Sequence, residues 1–228
     1  KWIKNFNSIK RGPVIFFGNE FFDAIPIKQF SNINNELFEK FFSVEDRFNI
    51  FEKFIRGNKK DLVQIKAFDT LKKLTFIEFP KKGFMELNPI MKKISELSGG
   101  ILLIDYGYLN SKNSSTIQAV MNNKKVSVKV MLNNLGKADI TSLVNFNLLK
   151  EYFSKNNLKV KKVVTQKFFL ERMGIIERAQ FLEKKMTNKQ RKYMADTLTR
   201  LLEEKQMGSL FKVIFGYKYK NNDFFGFE

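Results

Sequence analysis

Asn19, Glu20 and Asp23 place one amide and two carboxylates within five positions, among Phe21 and Phe22. They follow directly on the apolar run Val14-Ile15-Phe16-Phe17 and Gly18, and Pro26 closes the turn. Asp105 and Tyr106 form a second polar pair, placed after the apolar run Ile101–Ile104. The chain has no histidine and no cysteine. The commonest general base, thiolate nucleophiles, cysteine–metal sites and disulfides are therefore excluded. Chemistry must run on carboxylates, Lys, Tyr, Ser/Thr or a bound cofactor. A hydrolase built on the two carboxylates ranks low, because no metal cluster or nucleophile elbow accompanies them. The plain alternatives stay open: Glu20 and Asp23 as turn and cap groups, Phe21 and Phe22 as core, Asp105-Tyr106-Gly107 as an ordinary strand exit.

These groups need elements to hold them. Val14–Phe17 has the length and residue types expected of a strand buried on both faces. Buried strands of open α/β sheets deliver their functional groups at their carboxyl ends. Asn88–Leu97 reads as a helix, with Asn88 as cap, Pro89 in the first position and Ser98-Gly99-Gly100 as the stop. Ile101–Ile104 follows as a second buried strand. Strand, helix, strand, each strand tipped with acid, is the βαβ grammar of a parallel sheet. In such a sheet Asp105 and Tyr106 face the same crevice as Glu20.

Residues 31–87 read as an insert or subdomain on one edge. Glu36–Phe42 suits strand or helix; Ile50–Ile55 and Asp61–Ile65 are short apolar pieces split by a turn at 56–60. Lys72–Pro80 contains the strand-like LTFIEF. Further on, the pattern predicts a helix over Phe146–Asn157 and a strand over Leu158–Thr165. A helix over Phe168–Leu182 is interrupted at Gly174. Another runs over Thr187–Glu204, with Thr187 and Gln190 as a capping box, and a last strand covers Gly208–Tyr219. Trp2 is expected to be a packing anchor.

At 228 residues the chain suits one large domain, or a domain with an insert. The net charge of +18 points towards acidic partners such as nucleic acid or an anionic membrane. However, Lys, Asn, Phe and Ile are inflated together, as AT-rich codons would make them, and the lysines are scattered. A solvated basic surface is the expectation, not a nucleic-acid site. No apolar run approaches the roughly 18–20 residues of a membrane span.

Asn19-Glu20-Phe21-Phe22-Asp23-Ala24-Ile25-Pro26 resembles the NEFFDALP signature of the MidA-type methyltransferases, the family of the mitochondrial complex I assembly-factor arginine methyltransferase and its bacterial relatives. Ile104-Asp105-Tyr106-Gly107 matches its IDYG. Ser115-Thr116-Ile117-Gln118-Ala119-Val120 resembles its TLQAV segment, and Gly136–Thr141 its GEADLT. Val163–Gln166 with Phe168–Leu170 resembles TQxxFL, and Met207–Val213 resembles MGxLFKV. All stand in the family's order. The chain departs from the pattern at Met121-Asn122-Asn123 and at Ser142–Phe146, where the family carries histidines.

The resemblance implies a Rossmann-like α/β class I methyltransferase sheet, with S-adenosyl-L-methionine as cofactor. It implies a protein substrate, with arginine as the methyl acceptor and a complex I subunit as one candidate. Glu20, Asp23 and Asn19 are then the catalytic candidates, with Asn19 also near the methyl donor. Phe21, Phe22, Asp105, Tyr106, Thr116 and Gln118 are the substrate-binding candidates. Carboxylates would grip the planar guanidinium and the rings would wall it. The glycine-rich cofactor loop has no counterpart, and the chain begins with Lys1. Residues 1–228 are thus expected to be the carboxyl-terminal part of such a domain, without its opening strands. The location would be a bacterial cytoplasm, or the mitochondrial matrix if the source is eukaryotic. The competing reading is a non-catalytic basic module, or a pseudoenzyme docking an acidic partner.

Overall fold

A computed structural model describes residues 2–3, 5–45, 49–122, 124–134, 136–220 and 224–228. Lys1 and Asn123, both used above, lie outside the described residues. In chain order the strands and helices begin with β1 (Val14–Asn19), β2 (Lys28–Ile33), β3 (Glu36–Val44) and β4 (Ile50–Arg56). Then come α1 (Lys59–Lys66), β5 (Phe76–Phe79), α2 (Lys81–Leu97) and β6 (Gly99–Tyr108). Next are β7 (Gln118–Met121), β8 (Lys124–Val126), α3 (Val128–Asn133), β9 (Asp139–Thr141), β10 (Val144–Asn145) and α4 (Phe146–Lys155). Last are β11 (Lys159–Val160), β12 (Val164–Thr165), α5 (Gln166–Arg172), α6 (Ile175–Glu183), α7 (Asn188–Leu202) and β13 (Phe211–Lys218). The chain divides into two compact units. One comprises Lys1–Phe21, Pro89–Tyr108 and Phe153–Glu228; the other comprises Phe22–Asn88 and Leu109–Tyr152.

The first unit holds a mixed sheet in the order β1-β6-β13-β11, with β12 also on β13. β1 runs parallel to β6, from Val14↔Gly99 to Asn19↔Ile104. β13 runs antiparallel to β6. β6 is the buried centre, with Ile101, Leu103 and Ile104 inside. A cluster of Ile104, Phe169, Phe211 and Val213 fills the core beside it. Gly99 makes the entry to β6 possible. Its φ is +114°, and a side chain there would collide with the Val14 backbone.

Several expectations are corrected here. β1 is not buried on both faces: Ile15 and Phe17 are each 65% exposed. Among the described residues β1 pairs with β6 alone, so it behaves as an edge strand whose side chains alternate between covered and open faces. β6 runs four residues past Ile104, because β13 pairs with it as far as Phe211↔Tyr106. Asp105 and Tyr106 therefore lie within a strand rather than beyond its end. α2 begins at Lys81, where Pro80 O accepts from Phe84 N at 3.0 Å, so Asn88 is not its cap and Pro89 sits inside it. Trp2 is fully exposed, not an anchor. The predicted strand 158–165 splits into β11 and β12. The Thr187–Gln190 capping box is present. Gly174, at φ +80°, separates α5 from α6.

The second unit contains an antiparallel sheet, β4-β3-β2-β5, and a small one, β8-β7-β9. The ambiguous segment 36–42 is strand. Its partner β2 joins it through Asn34-Asn35, both at positive φ, the two-residue loop that matches strand twist. The core is aromatic: Phe84 stacks on Tyr152 at 4.3 Å and also packs on Phe22, Phe68 and Phe79. Tyr152 donates its hydroxyl to Asn88 Oδ1 at 2.7 Å, and burial pushes its pKa up to about 12.

One buried charge organises α1. Asp61 is 0% exposed. It accepts from Lys28 at 2.7 Å, Lys81 at 2.5 Å and Asn58 at 2.7 Å. Asn58 also caps α1 by accepting from Asp61 N at 3.0 Å. Burial alone would raise the Asp61 pKa. The hydrogen bonds from Lys28, Lys81 and Asn58 outweigh it and bring it to about 2.

Candidate functional site

Glu20 is the residue around which the first unit's polar chemistry gathers. β1 ends at Asn19, but the ladder takes one more bond, from Glu20 N to Ile104 O at 2.9 Å. Glu20 then turns into left-handed backbone, φ +49°. That conformation costs a non-glycine residue roughly 1–2 kcal/mol. Strain of this kind persists where the surroundings over-determine it, and it gathers at functional sites. Gly18 shapes the approach: a Cβ there would lie 2.8 Å from Leu103 Cδ2.

The Glu20 carboxylate is held by two neutral donors. Asn19 Nδ2 donates to Oε1 at 3.3 Å, and the Tyr106 hydroxyl donates to Oε2 at 2.9 Å. Tyr106 is itself fixed, with its ring packed on Phe211 at 4.1 Å. Among the described residues no lysine or arginine pairs with Glu20, although the chain carries a net charge of +18. The carboxylate is exposed, and both of these donors are neutral. Asp105 is buried, 1% exposed, and its Oδ1 accepts from Tyr106 N at 2.9 Å. It fixes the backbone beneath the tyrosine.

The structure thus brings Asn19, Glu20 and Tyr106 together, with Asp105 behind them. Phe21, next in the chain, is 40% exposed. Phe22 is 4% exposed and packs on Phe84 in the second unit's core, the plain alternative for that ring. Asp23 is 5% exposed in the same unit, and its backbone oxygen accepts from Ser142 N at 3.0 Å. Thr116 and Gln118 also belong to the second unit. Thr116 Oγ1 donates to Glu78 at 2.5 Å and accepts from Leu143 N at 3.0 Å, so both its capacities are used internally. Gln118 is half-buried in β7, opposite Thr141.

Sequence reading passed over Glu78. Its carboxylate also takes Gln29 Nε2 at 2.8 Å and Thr116 N at 2.9 Å, tying β2, β5 and the 115–118 segment into one network. The signal was present: it is the single acid inside the apolar strand FIEF.

A family model described as "Putative S-adenosyl-L-methionine-dependent methyltransferase" matches residues 1–164. The chain belongs to this family. Among similar proteins is the "Protein arginine methyltransferase NDUFAF7 homolog, mitochondrial" of Caenorhabditis elegans. It is 30% identical over 215 residues, which cover 92% of this chain and 49% of the relative. The Danio rerio protein arginine methyltransferase NDUFAF7, mitochondrial, is 24% identical over 211 residues, with the same coverages. The chain therefore spans about half the length of the curated relatives it matches. A COG1565 superfamily member from Burkholderia thailandensis, solved with S-adenosyl-homocysteine, matches the whole chain at TM-score 0.73. It is 18% identical, and 57% of its length is covered. A second structure from the same organism matches at TM-score 0.74, with 59% of its length covered. These likenesses show the fold.

The cofactor of the family can be tested against the residues present. Class I methyltransferases hold it on a glycine-rich turn that follows a strand. The one glycine doublet here, Gly99-Gly100, opens β6 against Val14 instead, and Gly107 lies inside the same strand. The described residues do not provide that turn. Within the first unit, the carboxyl end of β1 at Asn19 and Glu20 is what they offer.

Proposed function

We propose that the protein serves S-adenosyl-L-methionine-dependent methylation of a protein side chain, with arginine as the acceptor. One observation carries the reading: the exposed Glu20 carboxylate, set on a left-handed backbone, held by Asn19 and Tyr106 and paired with no cation among the described residues. A guanidinium offers parallel N–H donors that fit one carboxylate bidentately. Each Glu20 oxygen has one donor and keeps lone pairs for such a partner. The grip orients the acceptor nitrogen, and methyl transfer depends chiefly on that orientation. Phe21, next in the chain, is 40% exposed, and an aromatic ring there suits a cationic acceptor. The relatives' names support arginine as acceptor and, for a eukaryotic source, a mitochondrial location.

The test uses the full-length protein with labelled S-adenosyl-L-methionine. Glu20→Gln should lower transfer by about a hundredfold while cofactor binding persists, because it removes a charged hydrogen-bond acceptor. Tyr106→Phe should lower it about tenfold. Full transfer by Glu20→Gln would remove the guanidinium grip.

A further inference from the structure

The larger sheet of the second unit ends on an open strand. Among the described residues β4 pairs with β3 alone. Every residue from Phe51 to Arg56 is exposed. The ladder fixes which backbone groups face outward. Glu45 N donates to Asn49 O at 3.1 Å, and Gly57 N donates to Leu37 O at 2.9 Å. Both bonds join odd-numbered residues in the β3–β4 register. Antiparallel ladders alternate bonded and non-bonded pairs. Phe51, Lys53 and Ile55 therefore turn their N–H and C=O groups to β3, and Glu52, Phe54 and Arg56 aim theirs at the open edge. An exposed edge of this kind is a template for another strand.

The side chains say which strand. A two-fold axis through such an edge pairs residues symmetrically about one central residue, with opposed side chains on the same face. Centring on Glu52 sets that acid against itself, and centring on Lys53 does the same with the lysine; like charges directly opposite are destabilising. Centring on Ile55 opposes Arg56 to Phe54 and forms no ion pair. Centring on Phe54 sets ring against ring, and Glu52 against Arg56 on each side of the axis. It also brings the outward backbone groups of Glu52, Phe54 and Arg56 face to face. The same face carries two ion pairs within the chain, Lys40 with Glu52 and Arg56 with Glu36. The Phe54 register joins them into a row of alternating sign: Lys40, Glu52, then Arg56 and Glu36 of the second copy.

We infer that β4 is a self-pairing edge. Two copies of the chain join antiparallel about Phe54, over residues 52–56, and their four-stranded sheets become one continuous sheet across a two-fold axis. The occupant is a second copy, because the charge pattern of the edge is its own complement under that symmetry. The opposition of Lys53 to Ile55 completes the register, with the lysine's alkyl stem on the isoleucine.

Light scattering behind size-exclusion chromatography reads the mass of the full chain. About 0.15 M salt screens the repulsion from a net charge of +18. The wild type should form a dimer. Glu52→Arg and Arg56→Glu should each weaken it by about a hundredfold, since each sets like charges opposite on both sides of the axis. Mixed in equal amounts, those two variants should pair with one another, because every contact between positions 52 and 56 then joins opposite charges. Phe54→Pro should stay folded by circular dichroism, since the lost N–H faces outward, and should be monomeric. A monomeric wild type would overturn the proposal and leave the edge to a different strand. So would single variants that dimerise as tightly as the wild type, a mixture that stays monomeric, or a Phe54→Pro variant that is folded and dimeric.

Discussion

Replacing Asp61 by asparagine should destabilise the chain at neutral pH, and the cost should fade in acid. Asp61 is fully buried and bonds to Lys28, Lys81 and Asn58. Its pKa falls from the ordinary 3.8 to about 2, burial opposing and the three donors prevailing. A lowered folded pKa contributes stability that is fully present above the unfolded value. It is lost as pH falls through the folded value. The difference corresponds to about 2 kcal/mol at pH 7, disappearing between about pH 4 and pH 2. Asp61→Asn should therefore lower the melting temperature by about 4–8 °C at neutral pH. Lys28 reports the same network from the other side. Burial would lower its pKa, yet the bonds to Asp61 and Glu39 hold it above 10.5. Melting curves by circular dichroism, taken in steps from pH 7 to pH 2, measure the gap between wild type and variant. A gap that stays constant through that range, or is absent at pH 7, would refute the reasoning.

Three further outcomes follow from the geometry. Glu20→Gly should raise stability by about 1 kcal/mol by relieving the left-handed backbone, while abolishing transfer in the full-length protein. A fall in melting temperature would count against the strain. Thr116→Val should cost about 1–3 kcal/mol in denaturant unfolding, since it strands Glu78 and Leu143 N. Gly18→Ala should cost about 1–3 kcal/mol, because its Cβ would press on Leu103. An unchanged denaturation midpoint would show that the contact relaxes freely.

The parts of the fold legible in sequence were those set by local pattern. β6 announced itself as an unbroken apolar run, and the α7 cap and the Gly174 break were written in single residue types. Position along the chain also brought Glu20 and Tyr106 to neighbouring parallel strands, as strand–helix–strand patterning requires. What pattern could not supply was tertiary context. The run Val14–Phe17 reads as buried, but burial depends on neighbours, and among the described residues β1 has one only on the β6 side. Asn88-Pro89 reads as a helix start, yet α2 starts at Lys81 and draws Asn88 into a bond with Tyr152. Nothing local to Asp61 marks it as buried, and the place of Glu78 inside FIEF does not name its partners. Partners 20 to 49 positions away make them structural. The left-handed turn at Glu20 has no composition signal, since glycine or asparagine would be expected there.

The measurement that bears most directly on the central claim is where a methyl group goes. The full-length protein would be incubated with methyl-deuterated S-adenosyl-L-methionine and a protein extract from its source, and the products read by mass spectrometry. The account predicts labelled methylarginine with the wild type and almost none with Glu20→Gln. No labelled protein, label on a side chain other than arginine, or equal label from both forms would contradict it.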